Sequence, residues 1–586
     1  MDKSLILTIM RTINIKITGC AAVMMFALAS CSDFLEIEPR NEIILEQFWN
    51  EKKDVDNIIA GCYSGMQTYD VISRMMAWGE FRSENVNTTG IAQQYDINLH
   101  RVLVDNLNAS NSYSGWSGFY NVINRCNTVI YYAPSVAEKD PSYTESELRA
   151  TIAEASALRD LCYFYLIRTF RDVPYTNEPY LDDSQQMDVP ATPFDEVLNN
   201  LIADLEKVQN DAVRRYPESR PEYQTGRITQ DAIHAMLCEM YLWKRDYANC
   251  IKYADLVIEA YQRYAKEKEG NLFNDMLTRF NGFPLLRENQ STSSFGSAFQ
   301  SIFGSGNSPE CILELNYAND DNRISNNAVS TCYGNISGNN LVFYVKPSDY
   351  VGLDQINGAY AVFTNKFDAR AYESLYPLSA TSTSICKYVF RNPIIYFDQN
   401  ASTATTSYVG NYTDGHNHSN WIIYRLTDIM LLKAEAIIQQ MSDNMSEADI
   451  VLQERAFNLV SAINKRSICK ATLADKDTLH MADYGSKALM EELVMKERHR
   501  ELLFEGKRWY DLVRRSLRDG NTLYLRTQIA QKGLENASIV NSKLARMEAI
   551  FWPYNIEEMK VNKSLVQNPA FGSGEDDSIE NSATGK

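Results

Sequence analysis

The chain has 586 residues, 45% of them apolar, 23% charged and 11% aromatic, with 26 Gly and 16 Pro; this describes an ordered protein of one large or several average domains and excludes a fibrous, low-complexity or disordered chain. Its 75 acidic residues outnumber 57 basic ones, for a net charge of −18, a field that repels phosphate backbones and argues against nucleic-acid binding. Tyr is abundant at 35 against 7 Trp, and its apolar ring with a hydroxyl suits a wetted recognition surface.

Residues 1–30 read as an export signal. Arg11 and Lys16 precede an apolar run from Ile17 to Ala29, interrupted by Thr18, Gly19 and Cys20. The run is too short for a bilayer span of ~20 residues and fits the apolar part of a signal peptide. It closes in Leu28-Ala29-Ser30-Cys31, the form of a bacterial lipobox, whose Cys is diacylated and becomes the mature N-terminus. Each buried methylene of such chains contributes about 0.8 kcal/mol, so lipid on Cys31 is the expected membrane attachment. An ordinary secretory cleavage site is the alternative, and Met10 is a second candidate start.

Helical periodicity begins at Phe48 and Trp49 and continues through Val55, Ile58, Ile59, Cys62, Tyr63 and Met66. It recurs over Trp116–Tyr132, Glu147–Phe170 and Phe194–Val208, the last opened by Thr192 as cap and Pro193 at the first helical position. From Arg227 to Ala260 two helices join at Arg245-Asp246-Tyr247, with Ala232, Ala235, Ala248 and Ala254 where they would cross. That is a tetratricopeptide-like pattern. Further pairs are expected at Tyr424–Gln440 with Ala448–Ser467, and at Trp116–Tyr131 with Ile152–Phe170.

Between Gly270 and Asn420 the helical signal fades. Eight Asn fall between Asn316 and Asn340, which indicates loops and turns. Strand-like runs interrupt them at Cys311–Tyr317, Leu341–Lys346, Lys387–Arg391 and Trp421–Tyr424. A long helix is expected from Ser486 to Arg518. The predicted fold is therefore mostly α, a tetratricopeptide-like scaffold with a loop-rich irregular insertion. Its expected divisions are a signal at 1–30, a helical N-terminal region at 31–270, a ligand-binding insertion at 271–420, a C-terminal helical region at 421–572 and a flexible tail at 573–586.

Signatures of catalysis are absent from the sequence: there is no Gly-x-Ser-x-Gly elbow, Walker loop, Gly-x-Gly-x-x-Gly or His-Glu-x-x-His. His416 and His418 beside Asp414 form a three-ligand metal candidate that also reads as a polar loop. No cofactor or metal is expected. The cysteines of the helical stretches sit in apolar patterns and read as small buried hydrophobes, while spacing leaves a Cys311–Cys332 bridge open.

The segment from Glu497 to Arg514 packs charges and aromatic residues together. On a continuous helix Arg498, Glu501, Glu505 and Arg508 share one side, where ion pairs form. The plain reading is a structural helix with satisfied charges. The residues Glu497, Arg498, Glu501, Leu502, Phe504, Glu505, Gly506, Arg508, Trp509, Asp511, Leu512 and Arg514 also match the C-terminal signature of the SusD/RagB family of Bacteroidota, which the chain resembles. Ala155–Arg159 through Phe170–Pro174, Lys366–Arg370, Tyr424–Asp428 through Lys433–Ala436, Trp552-Pro553, Asn568–Phe571 and Cys31–Leu35 are similar to further family elements. Arg171 stands where Gly is usual, and Asp428 where Glu is usual.

The resemblance implies an outer-membrane lipoprotein facing the cell exterior, which captures oligosaccharide or polysaccharide and delivers it to a SusC-type TonB-dependent transporter, and is not an enzyme. A peptide-capturing member of the same family is one alternative; a surface glycoside hydrolase is another, from a different class. Sugars need an exposed aromatic platform beside amide, carboxylate or guanidinium groups. Trp78 is the Trp with the least evident packing role, and it opens a polar run containing Arg82 and Asn85 that leads to Tyr95. These four, with Tyr317, Asn319, Tyr333 and Tyr344 from the insertion, are the expected ligand contacts.

Overall fold

The computed structural model describes residues 48–182, 184–269, 280–287, 294–317, 325–337, 340–351, 362–365, 367–379, 382–396, 405–411, 417–470 and 478–572. Cys31, Asn319, Asp414 and His416, together with the signal at 1–30 and the tail at 573–586, lie outside them.

In chain order the elements that carry the argument are helices α1 (Lys52–Met66) and α2 (Tyr69–Met76), strand β1 (Val86–Thr88), and short helices α3 (Gly90–Tyr95) and α4 (Ile97–Leu103). Helices α5 (Ser117–Lys139), α6 (Glu145–Phe170), α7 (Phe194–Val208), α8 (Gln230–Trp243) and α9 (Tyr247–Glu269) follow. The middle of the chain contributes β2 (Cys311–Leu315), β3 (Val345–Pro347), β4 (Phe390–Tyr396), β5 (Thr405–Asn411) and β6 (Trp421–Arg425). Helices α10 (Leu426–Gln439), α11 (Glu447–Ser467), α12 (Lys487–Glu501) and α13 (Arg508–Asp519) complete the scaffold.

The fold is mostly helical, and the helices stack in sequence: α1 packs on α5, α5 on α6, α6 on α7, α8 on α9, α9 on α10 and α10 on α11. The expected pairs form, with small residues at the crossing as expected except for Ala248, which is exposed. Thr229 caps α8 by accepting from Ala232 N at 3.2 Å, Arg245 makes the turn at φ 64, and the fully buried Ala232, Ala235 and Ala254 let α8 and α9 approach. Cys238 Sγ and Cys250 Sγ lie 3.7 Å apart in that crossing. The nine described cysteines are buried and unbridged, Cys311 and Cys332 among them. Helix α7 starts one residue later than expected, with Pro193 as cap and Phe194 N donating to Asp172 Oδ1 at 2.9 Å.

The small sheets are two- and three-stranded. Strand β6 pairs antiparallel with β2, and β4 with β5. Strand β1, from the first hundred residues, pairs with β3 from the insertion, Val86 opposite Pro347 and Thr88 opposite Val345.

The single helix expected from Ser486 to Arg518 is two. Helix α12 ends at Glu501, the chain turns through Phe504 (φ 67) and Gly506 (φ 71), and α13 starts at Arg508. Arg498, Glu501, Glu505 and Arg508 therefore do not pair with one another along one face; their partners come from other elements packed in the core. Glu501 accepts from Arg370 at 2.9 Å and also meets Arg425 and Arg466. Glu505 accepts from Arg425 Nε at 2.8 Å and Lys387 Nζ at 2.9 Å. Arg498 binds Asp428 at 2.9 Å and Asp511 at 3.0 Å. Charges this deep are tolerated because each is paired and hydrogen-bonded.

Candidate functional site

The β1–β3 pairing closes one edge of the molecule. Past β1, Thr89 caps α3 by accepting from Ala92 N at 3.3 Å. The same hydroxyl donates to the Phe343 and Tyr344 carbonyls, each at 3.1 Å, and Thr89 N donates to Tyr344 O at 3.2 Å. Helix α3 stops at Tyr95 because Asp96 breaks from helical geometry to cap α4, accepting from Leu99 N at 2.9 Å. Tyr95 is thereby held at the junction of two short helices, 68% exposed, more than any other aromatic residue among those described.

Tyr69, at the start of α2, is 43% exposed, and Ile97 and Val342 present further apolar surface on these segments. Partial burial raises the Tyr69 hydroxyl to about 12, and the fields of Cys332, Asp96 and Tyr344 add to the shift. Asp96 also accepts from Tyr113 OH at 2.8 Å. His100 Nδ1 lies 3.0 Å from Thr88 Oγ1, and burial, with help from Arg101, lowers its pKa. The edge thus combines exposed aromatic faces with hydroxyl, amide and carboxylate groups.

The expected contacts divide on this geometry. Tyr95 is exposed and Tyr344 half-buried at the same edge. The expectation of a ligand contact at Tyr317 is corrected: it is buried, and its hydroxyl donates to Gln67 O at 2.8 Å, two residues before Tyr69. The expectation of an exposed platform at Trp78 is corrected: its ring has no solvent-accessible surface. It stacks on Phe119 with centroids 4.8 Å apart, and Nε1 donates to Tyr113 O at 2.8 Å. A ring without an open face cannot stack on a sugar.

Arg82 and Asn85 are corrected likewise. Arg82 is buried over the Trp509 ring, binding Asp105 Oδ1 at 2.7 Å and Ala549 O at 2.9 Å. Asn85 is buried between Glu80, to which it donates at 2.7 Å, and His499. Tyr333 is buried too, its hydroxyl donating to Phe504 O at 3.0 Å. Sequence reasoning missed Tyr69. The available signal was Thr68-Tyr69-Asp70, a cap followed by an aromatic residue at the first helical position.

Among the described residues no group of three or more His, Cys, Asp or Glu is arranged to hold a metal ion. None of their helices is long and apolar enough to cross a membrane.

Known proteins resemble this chain along its length. The model of the SusD family matches residues 247–571, and a model described as starch-binding associating with outer membrane matches residues 33–242. SusD-like protein P38 of Formosa agariphila is 25% identical over 582 residues, covering 95% of this chain and 98% of its own. Among solved structures, surface glycan-binding protein A from Bacteroides uniformis is 18% identical, covers 88% of this chain and 99% of its own, and superposes with a TM-score of 0.60. A laminarin-binding SusD-like protein is 17% identical, covers 89% of this chain and 100% of its own, with a TM-score of 0.54. At these identities the structural likenesses show a shared fold.

Proposed function

We propose, since the chain belongs to the SusD family, that it is a surface glycan-binding protein that captures oligosaccharide without cleaving it and passes it to a TonB-dependent transporter of the SusC type. The observation that carries the reading is the exposed Tyr95, set beside Tyr69 and Tyr344 on the edge that β1 and β3 close. An aromatic face flanked by hydroxyl and amide groups stacks on the apolar face of a pyranose while satisfying its hydroxyls. The relatives named for glycan or laminarin binding support the same ligand class. Lipid on Cys31 would hold the protein at the outer membrane, facing outward.

The test is calorimetric titration of the purified protein against neutral oligosaccharides and peptides, with chromatography of each ligand afterwards. Binding of an oligosaccharide that is recovered intact is expected. Recovery of shortened sugar would make the protein a hydrolase, and binding of peptides alone would make it a peptide carrier. Co-purification with a β-barrel transporter from native membranes, lost on Cys31→Ala, is the expected outcome for partner and anchor.

A further inference from the structure

A groove of about 290 Å³ runs between the first turns of α5, the connection from α6 to α7, and the C-terminal helix α14 (Ile556–Val561) with Leu565. None of Tyr69, Tyr95 and Tyr344 lines it. Side chains fix its walls. Asn124 Nδ2 donates to Tyr180 O at 3.0 Å, and its Oδ1 accepts from Tyr180 N at 2.7 Å. Asn127 Nδ2 donates to Glu178 O at 3.2 Å, and its Oδ1 accepts from Arg159 Nη1 at 3.2 Å. Asn562 Nδ2 donates to Val189 O at 2.6 Å, and its Oδ1 accepts from Ser564 N at 3.0 Å. The Tyr120 hydroxyl donates to Pro174 O at 2.6 Å. A groove held in this way is formed before any ligand arrives.

Those four polar side chains are spent on the protein itself. A sugar ring needs donors and acceptors for each of its hydroxyls, and the groove has committed most of the ones it contains. What it leaves open is apolar. Trp116 and Leu565 are buried at its floor, while Met187 and Val561 stand on its rim, 55% and 66% exposed. Large apolar side chains exposed together around a concavity mark an interaction site, and methionine adapts to varied partners. The one charged side chain in the lining is that of Glu558. It accepts from Trp116 N at 3.4 Å, and the nearby Lys560 pairs instead with Glu557, at 2.7 Å. A carboxylate in a first helical turn suits the helix dipole and needs no ligand to explain it. The open apolar walls around it have no such explanation.

We infer that the groove docks an extended segment of a partner polypeptide that carries one large apolar side chain beside a Lys or Arg. The apolar side chain packs on Trp116, Val189 and Leu565 beneath Met187 and Val561, and the cation meets Glu558. Charge complementarity selects that neighbour, because no Lys or Arg lines the groove. The volume lies at the small end of the usual range for ligand sites, about 300–1,000 Å³, which suits one side chain better than a run of sugar rings. The exposed Asn121, also in the lining, offers an amide to the backbone of the segment. The assignment is independent of the Tyr95 edge and stands whether or not that edge binds glycan.

The experiment titrates the full protein, by ligand-observed nuclear magnetic resonance, with three acetylated and amidated peptides: Gly-Phe-Lys-Gly, Gly-Phe-Glu-Gly and Gly-Ala-Lys-Gly. The Phe-Lys peptide should bind about tenfold more tightly than the Ala-Lys peptide and about fivefold more tightly than the Phe-Glu peptide, the second preference fading with added salt. Met187→Ser with Val561→Ser, both at exposed positions, should melt within about two degrees of the wild type and bind the Phe-Lys peptide about tenfold more weakly. Glu558→Gln keeps an acceptor for Trp116 N and should bring the Phe-Lys and Phe-Glu affinities within about twofold of each other. Tyr95→Ala should leave peptide binding unchanged. Equal binding of the three peptides, no binding of the Phe-Lys peptide, wild-type affinity in the double variant, or an intact preference for Lys in Glu558→Gln would overturn the assignment. So would binding of a neutral oligosaccharide that the double variant loses and Tyr95→Ala keeps, which would make the groove a sugar site.

Discussion

Gly79 and Gly506 meet backbone to backbone: a Cβ on Gly79 would stand 1.9 Å from the Gly506 carbonyl oxygen. Between them runs the carboxylate of Glu80, which accepts from Gly506 N at 3.2 Å and from Asn85 at 2.7 Å. The contact joins the segment that leads into β1 to the turn between α12 and α13, so the edge bearing Tyr95 is built on it.

Gly79→Ala therefore should destabilise the protein by about 3 kcal/mol, the upper end of what overpacking costs. Chemical denaturation measures this. A wild-type midpoint would mean that the two segments do not touch.

Trp78→Ala and Tyr95→Ala should separate core from surface. Removing the fully buried Trp78 should cost about 3–5 kcal/mol of stability. Removing the exposed Tyr95 should change stability by no more than about 0.5 kcal/mol yet weaken the cognate glycan by about 1–3 kcal/mol, roughly 5- to 150-fold. Normal glycan affinity in Tyr95→Ala would move the platform elsewhere.

Glu501 is the shared partner of Arg370, Arg425 and Arg466. Glu501→Ala leaves those guanidinium groups short of a counter-charge inside the core. A loss of about 3–5 kcal/mol is expected, read as a lower melting temperature with ligand affinity unchanged per folded molecule. A melting temperature within a degree of the wild type would show that water already screens the cluster.

Buried carboxyls should give stability two opposed dependences on pH. For Asp428 and Glu435 burial opposes ionisation, but Lys507 with Arg498, and Arg514 with Arg518, hold the carboxyls at about 2, below their ordinary 3.8 and 4.5. Fewer protons are then bound folded than unfolded, so stability rises as pH climbs from about 2 to about 4.5. Burial pushes Glu80, Asp160 and Glu314 the other way, each to about 7. These bind more protons folded than unfolded, so their contribution to stability falls from about pH 4 to about pH 7. Burial lowers His234 from 6.5 to about 4 and lowers His499 as well, and their contribution rises over part of the same range, so the carboxyls are read by difference: the melting temperature of Glu314→Gln should gain on that of the wild type as pH climbs from about 4.5 to about 7. A difference between the two melting temperatures that stays constant from about pH 4.5 to about pH 7 would contradict the assignment of Glu314.

The helical pairs were legible because their cause is local. Ala232, Ala235 and Ala254 mark a crossing, and Thr229 marks a start. The break between α12 and α13 was not, because Phe504 takes positive φ against its own preference and is held there by contacts from elsewhere in the chain. Trp78 was misread for a related reason. Glu80, Arg82, Glu84 and Asn85 look like a wetted run, but each is buried against a partner that sequence cannot show: Glu80 on the Gly506 amide, Arg82 on Ala549 and Ile550, Glu84 on Arg508 and Asn85 on His499. Tyr95 stands out because short helices with side-chain caps leave little room to bury a ring.

The reach of Arg82 sets the order in which the molecule can be completed. Its guanidinium donates to Ile550 O, 468 residues along the chain, and Glu84 meets Arg508 at a separation of 424. A growing or translocating chain that has emerged only as far as α11 has Asp105 to pair with Arg82 but lacks Arg508, the cation that meets Glu84, and burying the Glu84 carboxylate in that condition is prohibitive. Final closure must therefore wait for the last hundred residues. The two stretches matched by separate family models, 33–242 and 247–571, are for the same reason halves of one interlocked body, and neither should reach a native state when synthesised without the other.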